Sequence, residues 1–280
     1  ATREMLARLV GDGVLRPLIS GTLANSELPD DISLRARALG LVVPRGGVVT
    51  DRTAAWLHGV DILPRRYQQG VPVSVQCFST RRSRMRRAGV ESGTRMLSDR
   101  DICTIEGVQV TTPARTSCDL GRLLWRYDAI AAMDGFARQG VTREQLQLYA
   151  PCFKGMRGVI QLRTLIPVVD AGAESPAESA LRLHWIEAGL PAPTTQIWVR
   201  DELGVCRYRL DIGSREELFA AEYDGEEFHG PGHAAHDSAR RAWLAEHGWT
   251  VVVLTKEDVY HRSDAHATIR RGYQKMLRSR

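Results

Sequence analysis

The stretch CRYRLDIGSREELFAAEYD, residues 206–224, decides how the rest of the chain is read. Two short, apolar-rich segments, 206–212 and 218–223, flank the polar residues 213–217, which is the pattern of a β-hairpin. Successive side chains along a strand alternate between faces, so Glu222 and Asp224 share one face. With Asp211 opposite them on the first strand, three carboxylates converge. Like charges at close range are costly unless a cation neutralises them or one takes up a proton. Oxygen donors of this kind suit Mg²⁺ or Mn²⁺.

On either side of the hairpin the pattern stays regular. Residues 175–188 predict an amphipathic helix, with Ser175 as N-cap, Pro176 at the first helical position and Glu178 at the capping-box position. A strand is expected at 195–199, a helix at 236–248, an apolar strand at 249–255 and a last helix at 264–277. Trp243, Trp249 and the apolar run 251–254 are expected in the core. The C-terminal order is thus α-β-β-β-α-β-α. The N-terminal part reads as mixed α and β. Helices are expected at 4–15, 32–41, 113–124, 129–139, 142–149 and 158–169, and strands at 18–23, 42–49, 71–78 and 108–111, the last paired with Ile105. Asp51 is placed as the N-cap of a helix that runs through His58. Thr142 and Gln145 have capping-box spacing. The small, polar segment 170–176 separates two expected domains, 1–170 and 171–280.

The chain has 280 residues, 43% hydrophobic and 25% charged, which excludes a disordered protein and allows about two domains. No apolar run approaches the ~20 residues that span a bilayer, and no secretory leader pattern opens the sequence. The five cysteines are scattered and form no CxxC pair, so neither a zinc ribbon nor a disulfide framework is expected. A reduced, cytoplasmic setting is the simplest reading. Residues 1–170 carry a net charge of +8 and residues 171–280 a net charge of −3. The first part is suited to a polyanion such as DNA, and the second concentrates carboxylates.

The segments Glu174-Ser-Pro-Ala-Glu178, Arg209-Leu-Asp211, Ala221-Glu222-Tyr-Asp224-Gly, His229, Asp237-x-x-Arg240, Gly248-Trp249 and Leu254-Thr255-x-x-Asp258 together resemble an endonuclease-like domain-of-unknown-function family. That family is related to the very-short-patch-repair nucleases of the PD-(D/E)xK superfamily. The segments Thr50-Asp51-Arg52-Thr53-Ala-Ala-Trp56-Leu-His58-Gly59 and Thr111-Thr112-Pro113-Ala-Arg115-Thr116-Ser-Cys-Asp119-Leu120 resemble the AbiEi-type antitoxins. That second resemblance implies a shortened or degenerate winged-helix, DNA-docking N-terminal region.

The first resemblance implies an α/β nuclease core in which Asp211, Glu222 and Glu178 hold Mg²⁺ or Mn²⁺ and hydrolyse DNA phosphodiesters. Asp224 stands where the superfamily has a lysine and would complete the acidic cluster. His229 would assist proton transfer. The alternative for Glu178 is the capping box alone. His229, His233 and His236, spaced His-x₃-His-x₂-His, would otherwise read as solvated loop residues or a Zn²⁺ site. Arg240 and Arg241 would meet phosphate or form a solvated helix face. Arg81, Arg82, Arg84, Arg86 and Arg87, five arginines in seven residues, read as a DNA-phosphate patch or a solvated loop. The functional expectation is a metal-dependent DNA endonuclease in repair or defence. The alternative is a non-catalytic, DNA-binding, antitoxin-like transcriptional regulator with a toxin partner and a nuclease fold as scaffold.

Overall fold

Residues 206–224 form the expected antiparallel pair, Cys206–Ser214 against Phe219–Asp224, with Ala221 opposite Ile212. The first strand alternates exposed and buried positions towards its centre, whereas Phe219–Glu222 of the second are buried throughout, as befits a strand with neighbours on both sides. The computed structural model describes residues 2–62, 74–80, 89–225, 233–262 and 264–280. His229 and the five arginines at 81, 82, 84, 86 and 87 lie outside them.

In chain order the elements are α1 (Arg3–Gly11), β1 (Leu15–Ile19), β2 (Thr22–Asn25), α2 (Ile32–Val42), β3 (Gly47–Val49), α3 (Asp51–Leu57), β4 (Val75–Ser79) and β5 (Val90–Thr94). There follow β6 (Ile102–Ile105), β7 (Val108–Thr111), α4 (Pro113–Leu123), α5 (Arg126–Arg138), α6 (Arg143–Tyr149) and α7 (Val159–Leu165). The last are α8 (Pro176–Glu187), β8 (Thr194–Arg200), β9 (Cys206–Ser214), β10 (Phe219–Asp224), α9 (His233–Glu246), β11 (Thr250–Thr255) and α10 (Ala265–Ser279). The protein is therefore mixed α/β. Among these elements no helix is long and apolar enough to cross a membrane.

The chain divides into two compact units. The first comprises residues 1–123 and 139–166, and the second 124–138 and 167–280. Helix α5 thus belongs with the C-terminal elements although it precedes α6 and α7 in sequence.

The first unit holds a β1–β2 hairpin and a mixed five-stranded sheet in the order β5-β4-β3-β7-β6. Leu39, Val49, Leu57, Val75 and Val110 are among the buried side chains of its core. Asp51 does not cap α3. Thr50 occupies the N-cap position, and Asp51 takes a left-handed φ of 54° at the head of the helix. Both residues are capping types with Asp ranked ahead of Thr, so residue type alone points to the wrong one of the two. Asp51 instead faces Arg95, as described below. The Thr142–Gln145 capping box is present as expected.

The second unit has the four-stranded sheet β11-β10-β9-β8, with β10 parallel to β11 and antiparallel to β9. The parallel step requires a crossover, and α9 supplies it. Ile197, Leu210, Ala220, Leu244 and Trp249 pack as its core, with Trp243 partly buried against them. Leu254 is fully buried, but Val253 is 40% exposed. Strand β11 lies at the sheet edge, and its period-2 alternation turns Val253 outward.

Candidate functional site

Glu178, Asp211 and Glu222 come from three successive parts of the second unit: the first turn of α8, the middle of β9 and the end of β10. The hairpin register, Ala221 opposite Ile212, carries Glu222 and Asp211 to neighbouring positions across the two strands. Asp211 Oδ2 accepts a hydrogen bond from the Tyr223 N–H at 2.9 Å. Burial, reinforced by the negative charges of Glu222 and Glu178, pushes the Asp211 carboxyl up to about 6 against the pull of that N–H and of Arg240.

Each neighbouring carboxylate already has partners. Arg240 on α9 reaches Glu222 with both terminal nitrogens, at 2.7 and 2.5 Å, and also donates to the Arg209 carbonyl at 3.2 Å. Its guanidinium lies over the Tyr208 ring, 5.5 Å from the centroid. The fork geometry of arginine matches a carboxylate, so Glu222 is held by two parallel charge-assisted bonds. Arg240 is thus a carboxylate partner, where the sequence offered a phosphate contact or a solvated helix face. Glu178 Oε2 accepts from the Glu174 N–H at 2.9 Å and from Gln196 Nε2 at 2.6 Å. Ser175 does cap α8, accepting from the Glu178 N–H at 3.2 Å. The side chain of Glu178 returns to residue 174 and not to the cap residue, so the box is displaced by one position. Asp224 ends β10 opposite Thr255 of β11. Arg241 is exposed, and its Nε donates to the Asp237 carbonyl at 3.2 Å.

Among the described residues, Glu178, Asp211, Glu222 and Asp224 do not form a grouping of three ligand atoms close enough to hold a metal ion. Hard oxygen donors are the right type for Mg²⁺. As arranged, however, Glu222 is answered by Arg240 and Glu178 by two N–H donors, so the donor set does not fit a cation without rearrangement.

Asp211 makes the stability of the fold depend on pH. Its folded value lies above the unfolded one of about 3.9, so the native state holds the proton more tightly. The stability it contributes is full below pH ~4 and is lost as pH rises through ~6. Asp211→Asn should remove this loss. The stability difference between variant and parent should shift in favour of the variant by on the order of 1–2 kcal/mol between pH 4 and 7, read by urea unfolding at each pH. Asp134, whose carboxyl burial also pushes up to about 6, is present in both chains and cancels in the difference.

The first unit holds a second charged constellation that sequence reasoning did not assemble. Asp119 on α4 is fully buried and accepts from Arg115 Nε at 2.8 Å and from Arg122 Nε and a terminal nitrogen at 2.9 and 2.7 Å. Arg95 reaches Asp51 with both terminal nitrogens, at 2.7 and 2.8 Å, and approaches Asp119 at 3.5 Å. Arg115 also meets Asp101 at 3.2 Å. Asp101 in turn accepts from the Ser98 N–H and hydroxyl, both at 2.7 Å. Three arginines and three aspartates therefore alternate in one buried network, roofed by Phe153 beneath Arg115 and Arg122 at 5.1 and 5.2 Å. Gly158 lies close to this structure. A Cβ there would sit 1.8 Å from the Arg122 carbonyl oxygen, and its φ of 78° is itself left-handed. A cavity of about 410 Å³ opens beside the network, lined by Met96, Leu97, Phe153 and Met156 with the Asp101–Arg115 pair.

Residues 47–168 match the family model of the AbiEi antitoxin C-terminal domain. The match includes the whole Asp51–Arg122 network. Two proteins of Mycobacterium tuberculosis, one from strain CDC 1551 and one from H37Rv, each described as uncharacterized, are 35% identical over 157 residues. The alignment covers 55% of this chain and 58% of each relative, so the chain spans little more than half the length of the curated relatives it matches. No solved structure matches the chain.

Proposed function

We propose that this protein is an antitoxin-like, DNA-binding regulator of the cytoplasm, with a toxin as protein partner and no nuclease activity of its own. The observation that carries this reading is the match of residues 47–168 to an antitoxin domain. The buried network lies inside that match and gives the domain a rigid frame. The net charge of +8 on residues 1–170 suits attraction to the DNA backbone. In the second unit, the bidentate Arg240–Glu222 pair neutralises the most buried carboxylate of the cluster from within the protein. Asp224, where related nucleases have a lysine, supplies no cation for a phosphate.

A second reading is a metal-dependent DNA endonuclease with a PD-(D/E)xK core. The order α8-β8-β9-β10-α9-β11-α10 and the raised Asp211 carboxyl favour it. There Asp211, Glu222 and Glu178 would hold Mg²⁺ or Mn²⁺, which polarises phosphate and acidifies water. That reading requires Glu222 to leave Arg240, and we derive no catalytic step from the carboxylates as placed. Incubation of the protein with DNA and Mg²⁺ separates the two. The regulator should bind DNA and leave it intact, whereas the nuclease should cut it and lose the activity in Asp211→Ala.

A further inference from the structure

The opposite end of α8 from Glu178 carries a different cluster. His184 and Glu187 are three residues apart and share one helix face. They lie about 9 and about 13 Å along the axis from the first-turn glutamate. His266, in the first turn of α10, joins them. One ligand atom from each of His184, Glu187 and His266 lies within 4.8 Å of the others.

The protonation of His184 follows from its surroundings. The residue is fully buried, and its Nε2 lies 3.1 Å from the Val259 carbonyl, which can only accept. Nε2 therefore carries the proton. Its Nδ1 is buried without a hydrogen-bond partner, as is Nδ1 of His266. A buried imidazole nitrogen without a partner loses hydration for no return. Burial also holds the His184 ring on the neutral side, the form that ligates metals. An imidazole fixed by donating its other N–H to a backbone carbonyl is the usual support of a metal ligand. The two rings are nearly parallel, with centroids 6.0 Å apart, and Tyr127 stacks on His184 at 4.0 Å. Glu187 Oε2 accepts from the Tyr127 hydroxyl at 2.6 Å, and Oε1 faces Arg126 at 2.6 Å. The Arg126 side chain is 43% exposed, so it can turn to solvent when a cation takes its place. The C-terminal end of a helix, where His184 and Glu187 sit, carries partial negative charge that favours a cation.

We propose that His184, Glu187 and His266 form a binding site for a divalent transition metal of the zinc class. Two imidazole nitrogens and one carboxylate oxygen are a zinc donor set, and they leave a fourth position to water. The metal ties the end of α8 to the start of α10 and satisfies both orphan nitrogens.

Zn²⁺ and Co²⁺ are the probes, added to the full chain after chelator treatment. Equilibrium dialysis should find one site, and binding should raise the melting temperature. Glu187→Gln and His266→Ala should each weaken Zn²⁺ binding by more than about 100-fold, beyond the ~10–100-fold expected for losing a supporting partner. A chain with His229, His233 and His236 all replaced by Ala should bind as the parent does. Because His266→Ala could disturb packing, X-ray absorption of the Co²⁺-loaded parent gives an independent reading, with two imidazoles in a nitrogen and oxygen shell expected. No binding by the folded parent at millimolar Zn²⁺ overturns the proposal. So does a site lost in the triple histidine variant but kept in His266→Ala, or a metal shell without imidazole.

Discussion

Asp119→Ala should destabilise the first unit by about 3–5 kcal/mol, seen as an earlier transition in urea unfolding. The carboxylate is fully buried and is the shared acceptor for Arg115 and Arg122, with Arg95 at 3.5 Å. Removing it leaves arginines of 6%, 9% and 13% side-chain exposure without their common anion. A buried pair contributes little over an apolar replacement, but breaking one side strands a charge in a poorly solvated place. Asp119→Asn should cost less, because its carbonyl oxygen still accepts from the arginines. Arg122→Leu combined with Asp119→Leu should recover part of the loss, since it removes charges of both signs. If Asp119→Ala unfolds at the parent's urea concentration, the network does not frame the domain.

Asp134→Ala should produce a loss of similar size in the second unit, again about 3–5 kcal/mol by urea unfolding. Asp134 on α5 is fully buried and takes two bonds from one Arg182 nitrogen on α8, at 3.0 and 2.7 Å. It also accepts from the Asp170 N–H at 2.8 Å. Arg182 has 5% side-chain exposure, so losing Asp134 strands a buried charge. The pair clamps α5 to α8, which is how a helix from the middle of the sequence is held with the C-terminal elements. Asp134→Asn keeps an acceptor for both donors and should lose less. An alanine variant as stable as the parent would remove the clamp from the account.

The C-terminal element order was legible because its signals are local. Ser175 and Pro176 start a helix, period-2 apolar residues mark strands, and a polar turn joins β9 to β10. Asp211 and Glu222 could be placed on neighbouring strands for the same reason. Their electrostatic partners could not. Arg240 reaches Glu222 from 18 residues away on another element, and Arg95 reaches Asp51 from 44 residues away. Residue type announces that a charge must be answered, but not by whom. The i,i+4 spacing of Arg115 and Asp119 was visible, yet without Asp101 and Arg95 it reads as a surface pair. His184 and Glu187 were likewise an ordinary helix spacing until His266, 82 residues on from His184, closed the group. Asp51 was misplaced because a cap signal and an ion-pair requirement fall on the same residue type.

The central claim is that this protein engages DNA without cutting it. It is tested most directly by mixing the full chain with labelled duplex, single-stranded and branched DNA in Mg²⁺ or Mn²⁺, beside Asp211→Ala. Retention on native gels and strand integrity on denaturing gels are read from the same reactions. The account predicts complexes that weaken steeply with salt, intact strands, and the same result for both proteins. Metal-dependent nicks or breaks that vanish in Asp211→Ala would contradict it, as would no complex at low salt.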